Sequence, residues 1–238
     1  MFRQNSTEKS TNVAIVATTN DDSYHFLCAA FDGKIDVVRS YLEKGVDVNT
    51  RDIEGSTALH YAVQHKNAYL IDLLKSYKAN CNVTNEAGFG PIHNAVKHFS
   101  RKIMATLICF DEINLDLQTI DGTTAAYLAA QNGNFFALMQ LKTAGANLNL
   151  GRFNGCTPAM VAAFKGNLEI LRIIASDHIN LKEKTLFKNK SPLDVAKDQV
   201  HVECIKFINE VDEQHCQSQS CEDFIDSPLS NRRMSRSN

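Results

Sequence analysis

The sequence has no tryptophan, few prolines and no long apolar run. No segment approaches the roughly 18 consecutive apolar residues of a membrane-spanning helix, so we expect no transmembrane anchor. Residues 1–20 are polar apart from a short patch, Val13–Ala17, which is too short for the apolar region of a secretory signal. The net charge of −2 gives no overall field that would attract nucleic acid or an anionic membrane. We therefore expect an intracellular protein, cytoplasmic or nuclear, that binds neither.

A disulfide framework and a metal site are also not indicated. The seven cysteines are widely spaced and odd in number, which favours free thiols in a reducing compartment. Zinc sites normally combine two pairs of closely spaced ligands, whereas only His201 and Cys204 form such a pair within the regular part of the chain. The other candidate ligands are His215, Cys216 and Cys221 in the polar C-terminal stretch. We predict no metal and no cofactor.

What the sequence does contain is an internal repeat. Six anchor positions recur at intervals of 33 or 34 residues, and an alanine follows three residues after each anchor. The anchors are Phe26, Leu59, Ile92, Ala126, Ala159 and Leu193. The alanines are Ala29, Ala62, Ala95, Ala129, Ala162 and Ala196. Positions i and i+3 share one face of a helix, and small side chains there allow close helix packing. A turn and a second apolar helix follow in each unit.

The residues around the second anchor carry a family resemblance. Asp52–Ala62, with Thr57, Leu59 and His60, resembles the start of an ankyrin repeat, which is a turn followed by a Thr-Pro-Leu-His helix. Gly145–Asn149 resembles the end of such a repeat. The resemblance covers roughly residues 20–210, on the ankyrin period of about 33 residues.

This resemblance implies an all-α solenoid of stacked antiparallel helix pairs, with short β-hairpin tips and a concave face formed by the first helices. The six units are expected at about 20–51, 52–84, 85–118, 119–151, 152–184 and 185–210. Polar tails, 1–19 and 211–238, are expected to be disordered. The third and fifth units each hold one extra residue, which we place in the loops Asp111–Gln118 and Asp177–Lys184, where insertion costs little.

Several residues are predicted to have structural roles. Thr57, Thr124 and Thr157 stand where a hydroxyl can cap a helix. His60 and His93 invite a catalytic interpretation, but the resemblance implies that they tie a helix start to the neighbouring repeat. In the later units this position holds Tyr127, Met160 and Asp194. Those replacements predict weaker ties in the C-terminal half.

The predicted contact surface consists of the hairpin tips and the exposed ends of the first helices, the positions that vary in the ankyrin pattern. Its tip residues are Ile53, Phe89, Ile120, Phe153 and Phe187. Its helix residues are Phe31, His65, Lys97, His98, Phe164 and Lys165. Large apolar anchors beside a polar groove are typical of a protein-binding site. The alternative is that the apolar tips merely pack on one another.

We predict a non-enzymatic protein-interaction module, monomeric on its own, that binds another protein rather than a small molecule. No Gly-rich phosphate loop, nucleophile elbow or paired-carboxylate motif is found in the sequence. One alternative is an adaptor of a ligase or phosphatase complex, with 211–238 as a second recognition segment. Another is a microbial effector acting on host proteins, and the third is an enzyme. The segment Arg232–Ser235 resembles a basophilic kinase site with Ser235 as acceptor.

Overall fold

The computed structural model describes residues 21–98, 100–177 and 179–211. These residues form twelve helices and, apart from an isolated bridge between Arg51 and Thr57, contain no β-structure. The helices are α1 (Asp21–Phe31), α2 (Ile35–Glu43), α3 (Ala58–Gln64), α4 (Ala68–Ser76), α5 (Pro91–Lys97), α6 (Arg101–Ile108), α7 (Ala125–Gln131), α8 (Phe135–Thr143), α9 (Pro158–Lys165), α10 (Leu168–Ala175), α11 (Pro192–Asp198) and α12 (202–211). The predicted all-α fold class is confirmed.

Helices of odd number form an inner layer and helices of even number an outer layer. Each inner helix contacts the next inner helix, and the outer helices from α2 to α10 pack in the same succession. The predicted N-terminal tail, 1–19, lies outside the described residues, as do residues 212–238 of the predicted C-terminal tail, 211–238, with Ser235, Cys216 and Cys221. Residue 211, which we placed in that tail, is helical.

The alanine column lies where the inner helices meet. None of its six alanines is more than 4% exposed, and Ala62, Ala129, Ala162 and Ala196 are 0% exposed. Larger side chains of the outer helices, such as Leu74 and Leu138, fill the space between the two layers. The core is therefore a continuous strip of small inner and large outer side chains that runs along the stack.

Two buried histidines connect neighbouring units in the N-terminal half. His60 Nδ1 accepts a hydrogen bond from the Thr57 amide at 3.1 Å, and Nε2 lies 3.0 Å from the Phe89 carbonyl of the next unit. His93 repeats the pattern with the Gly90 amide at 3.0 Å and the Thr123 carbonyl at 3.1 Å. Since Nδ1 accepts, Nε2 carries the proton and donates to the carbonyl.

The later units use sulfur at the same place. The Tyr127 hydroxyl donates to Cys156 Sγ at 3.7 Å, and the Thr185 hydroxyl donates to Met160 Sδ at 3.0 Å. Thiol and thioether sulfurs are weak acceptors compared with a carbonyl oxygen. In the last unit Asp194 accepts from the Ser191 amide at 3.0 Å, within its own helix start.

The hairpins show where the extra residues lie. Four hairpins close with an amide-to-carbonyl bond across four residues, as from Arg152 to Cys156, but the last closes across five, from Thr185 to Lys190. The placement of the fifth unit's extra residue in Asp177–Lys184 is therefore wrong, because the residue lies in the hairpin. In the third unit, the loop regains the turn geometry of the other units at Asn114. The extra residue therefore lies between the end of α6 and Asn114.

We predict that enlarging the alanine column destabilises the stack. Ala129→Leu or Ala162→Leu should lower the free energy of unfolding by about 1–3 kcal/mol, because the neighbouring inner helix leaves no room. Gln131→Leu, on the same helix as Ala129 but exposed, is the matched control and should be nearly neutral. Urea unfolding of the three variants measures this, and equal losses at Ala129 and Gln131 would show that the buried face is wrongly assigned.

A second prediction concerns pH. Burial lowers the pKa of His60 to about 4, from an ordinary value near 6.5. The unfolded chain therefore binds the proton more readily, so this stabilisation is complete above about pH 6.5 and is lost as the pH falls towards 4, at up to ~1.4 kcal/mol per pH unit. His60→Gln should flatten the fall in unfolding free energy between neutral pH and pH ~5, measured with urea.

The control for that experiment is Ala62→Gly, which lowers stability by about 1 kcal/mol without removing a titrating group. It should keep the pH dependence of the unaltered chain. Identical pH dependence in His60→Gln and the unaltered chain would contradict the assignment of a buried neutral imidazole.

Candidate partner-binding surface

The first four hairpin tips form a continuous row because backbone hydrogen bonds join neighbouring tips. The Glu86 amide donates to the Glu54 carbonyl at 2.8 Å, and the Phe153 amide donates to the Asp121 carbonyl at 3.1 Å. Glycine is required beside these contacts. A Cβ on Gly122, whose φ is +83°, would lie 2.6 Å from the Phe153 nitrogen.

The tips expose apolar side chains along this row. Ile120 is 74% exposed, Phe153 68% and Ile53 39%, whereas the second tip carries Glu86. Arg152 forms an ion pair with Asp121, which joins the third and fourth described tips from the side. The row is thus apolar in its later part and charged at its flank.

Three of the predicted contact residues are placed differently. Leu186, 90% exposed, occupies the tip position that we assigned to Phe187, because the enlarged hairpin shifts the register by one residue. Phe187 is half-buried against the core. Phe89 closes its hairpin, with its ring 5.6 Å from that of His93. Phe31 packs edge-on against Tyr61 at 5.4 Å.

The concave side is mixed in character. His65, Lys97, Phe164 and Lys165 are exposed, and His98 is half-buried. Phe164 is 52% exposed although it follows the buried alanine pair of α9. Phe31 and His65 lie in edge-on contact with 4.9 Å between ring centroids, so these two predicted residues are brought together across two units.

A pocket of about 330 Å³ opens on the concave side between the last three units. Its apolar wall and its polar rim come from inner helices and the last hairpin. The wall includes Tyr127, Met160, Val161, Phe164, Phe187 and Val195, and the rim includes Lys188, Lys190 and Asp198. Sequence reasoning missed this pocket, since only the three-dimensional offset between hairpin and helix creates it. Its size suits one apolar side chain with its flanking backbone.

The described residues bring together no group of three histidine, cysteine or carboxylate side chains able to hold a metal ion. His201 Nε2 instead lies 3.1 Å from the Phe164 carbonyl, and Cys204 is buried. Burial raises the pKa of the Cys81, Cys156 and Cys204 thiols. These thiols are therefore protonated at neutral pH and are poor nucleophiles.

Three overlapping segments, 25–119, 92–185 and 126–220, match the family model described as ankyrin repeats. Together they cover most of the chain. The chain belongs to the ankyrin-repeat family. The buried histidines, the glycine-containing tips and the alanine column are thus parts of an ankyrin array, and ankyrin arrays are protein–protein interaction modules.

The chain is similar to proteins of diverse origin. The chain is 26% identical over 161 residues, 66% of its length, to palmitoyltransferase AKR1 of Lachancea kluyveri. It is 33% identical over 90 residues, 37% of its length, to a putative ankyrin repeat protein of fowlpox virus, and 31% identical over 107 residues, 45% of its length, to an ankyrin repeat-containing protein of Schizosaccharomyces pombe. The chain spans 22%, 26% and 50% of these relatives, respectively.

None of the helices in the described part of this ankyrin chain is both long and apolar enough to span a lipid bilayer.

We predict that Gly122→Ala disturbs the row of tips. Gly145 provides a matched control, because its φ of +90° imposes similar backbone strain but its added Cβ would meet nothing within 4 Å. Gly122→Ala should therefore lower the free energy of unfolding by about 1–3 kcal/mol more than Gly145→Ala, through overpacking against Phe153. Urea unfolding compares the two, and equal losses would mean that the tips do not pack as described.

Proposed function

We propose that this ankyrin array is a non-enzymatic module that binds a partner protein through its tips and concave face. The observation that carries the proposal is the row of exposed apolar tip residues, Ile120, Phe153 and Leu186, next to the concave pocket. Exposed apolar side chains in a continuous row are uncommon on a surface that contacts only water.

The energetic argument favours binding over mere packing between tips. Burying an exposed phenylalanine contributes about 1.5–3 kcal/mol. Phe153 and Phe164 remain 68% and 52% exposed, so most of that gain is still available to a partner. The pocket beside Phe164 can receive one apolar side chain of the partner, and Lys188 can contact an acidic group next to it.

The adaptor and effector alternatives concern the setting of the interaction rather than its surface. An adaptor role needs a second recognition segment, which we placed in 211–238 and which lies almost wholly outside the described residues. The relatives include a viral and two fungal proteins, and so favour neither alternative.

The proposal predicts that Phe153→Ala and Phe164→Ala each weaken partner binding by about 2 kcal/mol, roughly thirtyfold. A partner is first identified by affinity purification of the intact chain, and its affinity for each purified variant is then measured by calorimetry. Melting temperatures should change little, since both rings are largely exposed.

The control is Met139→Ala, which removes a partly exposed apolar side chain from the outer helix α8 and should bind as the unaltered chain does. If the Phe153 and Phe164 variants bind normally, or melt early while their folded fraction binds normally, the two rings are internal packing and the proposed surface is wrong.

A further inference from the structure

A second surface lies on the turns that join inner to outer helices, away from the hairpin tips. The second residue of each outer helix forms a column along this edge, because the spacing follows the repeat. From α2 to α10 the column consists of Asp36, Tyr69, Lys102, Phe136 and Glu169. It is acidic at both ends and basic and aromatic in the middle.

Cations and rings of neighbouring units are paired in this middle part. Lys102 Nζ lies 5.3 Å from the centroid of the Tyr69 ring, and the Arg101 guanidinium carbon lies 4.7 Å from that of Phe136. Tyr69 is 73% exposed and Phe136 52%. A ring holds a cation in place but, unlike a carboxylate, does not neutralise its charge.

Two further lysines extend the positive charge towards the concave face. Burial lowers the pKa of His98, and the positive charges of Lys97 and Lys66 lower it further, so both lysines act electrostatically on this imidazole. Lys66 and Lys102 also both line a shallow groove of about 450 Å³. We call this surface the basic–aromatic band. It consists of Lys66, Tyr69, Lys97, Arg101, Lys102 and Phe136.

The four cations of the band have no neutralising partner in the part of the chain that the structure describes. None of Lys66, Lys97, Arg101 and Lys102 takes part in an ion pair there, whereas Lys34, Lys190 and Arg152 each do. Their charge therefore remains available to a bound anion.

Two of these cations lie at positions that are unfavourable for the stability of the fold. Arg101 and Lys102 begin α6, which has no acidic residue in its first turn, whereas α2 and α10 carry Asp36 and Glu169 there. Cations at a helix start are disfavoured by the helix dipole. Local stability therefore does not account for this placement, and a bound anion would relieve it.

Lys66 shows the same conflict in its backbone. Its φ is +56°, at a position where other units carry Gly33, Gly133 and Gly166 with φ of +71°, +64° and +68°. A lysine in this left-handed conformation is strained compared with glycine. The side chain thus has no folding advantage at a place that three units give to glycine and the last unit gives to Val200, with a φ of +58°.

We propose that the basic–aromatic band binds an acidic, aspartate- and glutamate-rich protein segment, at a site separate from the tips and the pocket. Four cations in two neighbouring units match a short extended chain of carboxylates, and ring-held head groups lose little freedom on binding. A protein segment suits the band better than nucleic acid, because the column turns acidic at both ends, where a longer polyanion would be repelled.

The test uses the full chain and a fluorescein-labelled oligoglutamate peptide, with binding followed by fluorescence anisotropy at low and raised salt. The double variant Lys66→Glu and Lys102→Glu should weaken binding by about tenfold or more, because it places like charges opposite each other. The control double variant is Lys44→Glu and Lys78→Glu. Both lysines are exposed and lie outside the band, and Lys78 shares the left-handed conformation of Lys66, with a φ of +59°. It should bind the peptide as the unaltered chain does.

A third variant separates recognition from folding. Lys66→Gly removes the charge and relieves the strained backbone, so it should weaken peptide binding while the melting temperature stays the same or rises. A merely structural role would not combine these two results.

Absence of peptide binding at low salt, or equal weakening by the band and control variants, would overturn the proposal. A single-stranded DNA oligonucleotide of the same charge is measured in parallel, and band-dependent binding of DNA without binding of the peptide would also overturn it. Failure here leaves the Phe153 and Phe164 experiment unaffected, since that experiment reports on a different surface.

Discussion

Close approach of successive inner helices is the constraint on which the rest of the structure depends. Only alanine-sized side chains permit it, and the six column alanines are almost completely buried. This approach brings each hairpin next to the preceding one, so the Phe153 amide reaches the Asp121 carbonyl and only glycine fits at Gly122. The tips form one row, and the turns at the opposite edge form another, because the helices between them are evenly spaced.

The side-chain ties formed from the position of His60 and His93 change along the chain. In the first half, buried imidazoles of His60 and His93 donate to backbone carbonyls of the next unit. In the second half, Tyr127 and Met160 bond through sulfur, a poorer partner. The concave pocket lies in this second half, beside Tyr127 and Met160. A binding site in the less firmly tied part of an array can adjust its shape at a lower cost in folding energy.

The sequence predicts the fold well because the interval of the sequence repeat equals the spacing of the structural units along the chain. It predicts the contact surface less well. The interval from Ala159 to Leu193 shows one extra residue but not whether it lies in a loop or in the hairpin, and the assignment of Phe187 to the tip failed for that reason. The concave pocket and the ring-held cations depend on offsets between units, which no single-unit pattern contains. The column of Tyr69, Lys102 and Phe136 was the one available signal, at intervals of 33 and 34 residues.

Although the net charge is only −2, the charged residues are unevenly distributed over the surface, and this matters for function. The helix dipole favours acidic residues at helix starts, and left-handed turns favour glycine. Arg101 and Lys102 depart from the first rule and Lys66 from the second, within two neighbouring turns. Each of these departures adds positive charge to the same edge, where the rings of Tyr69 and Phe136 hold cations without neutralising them. An anionic ligand would interact favourably with all of these residues at once.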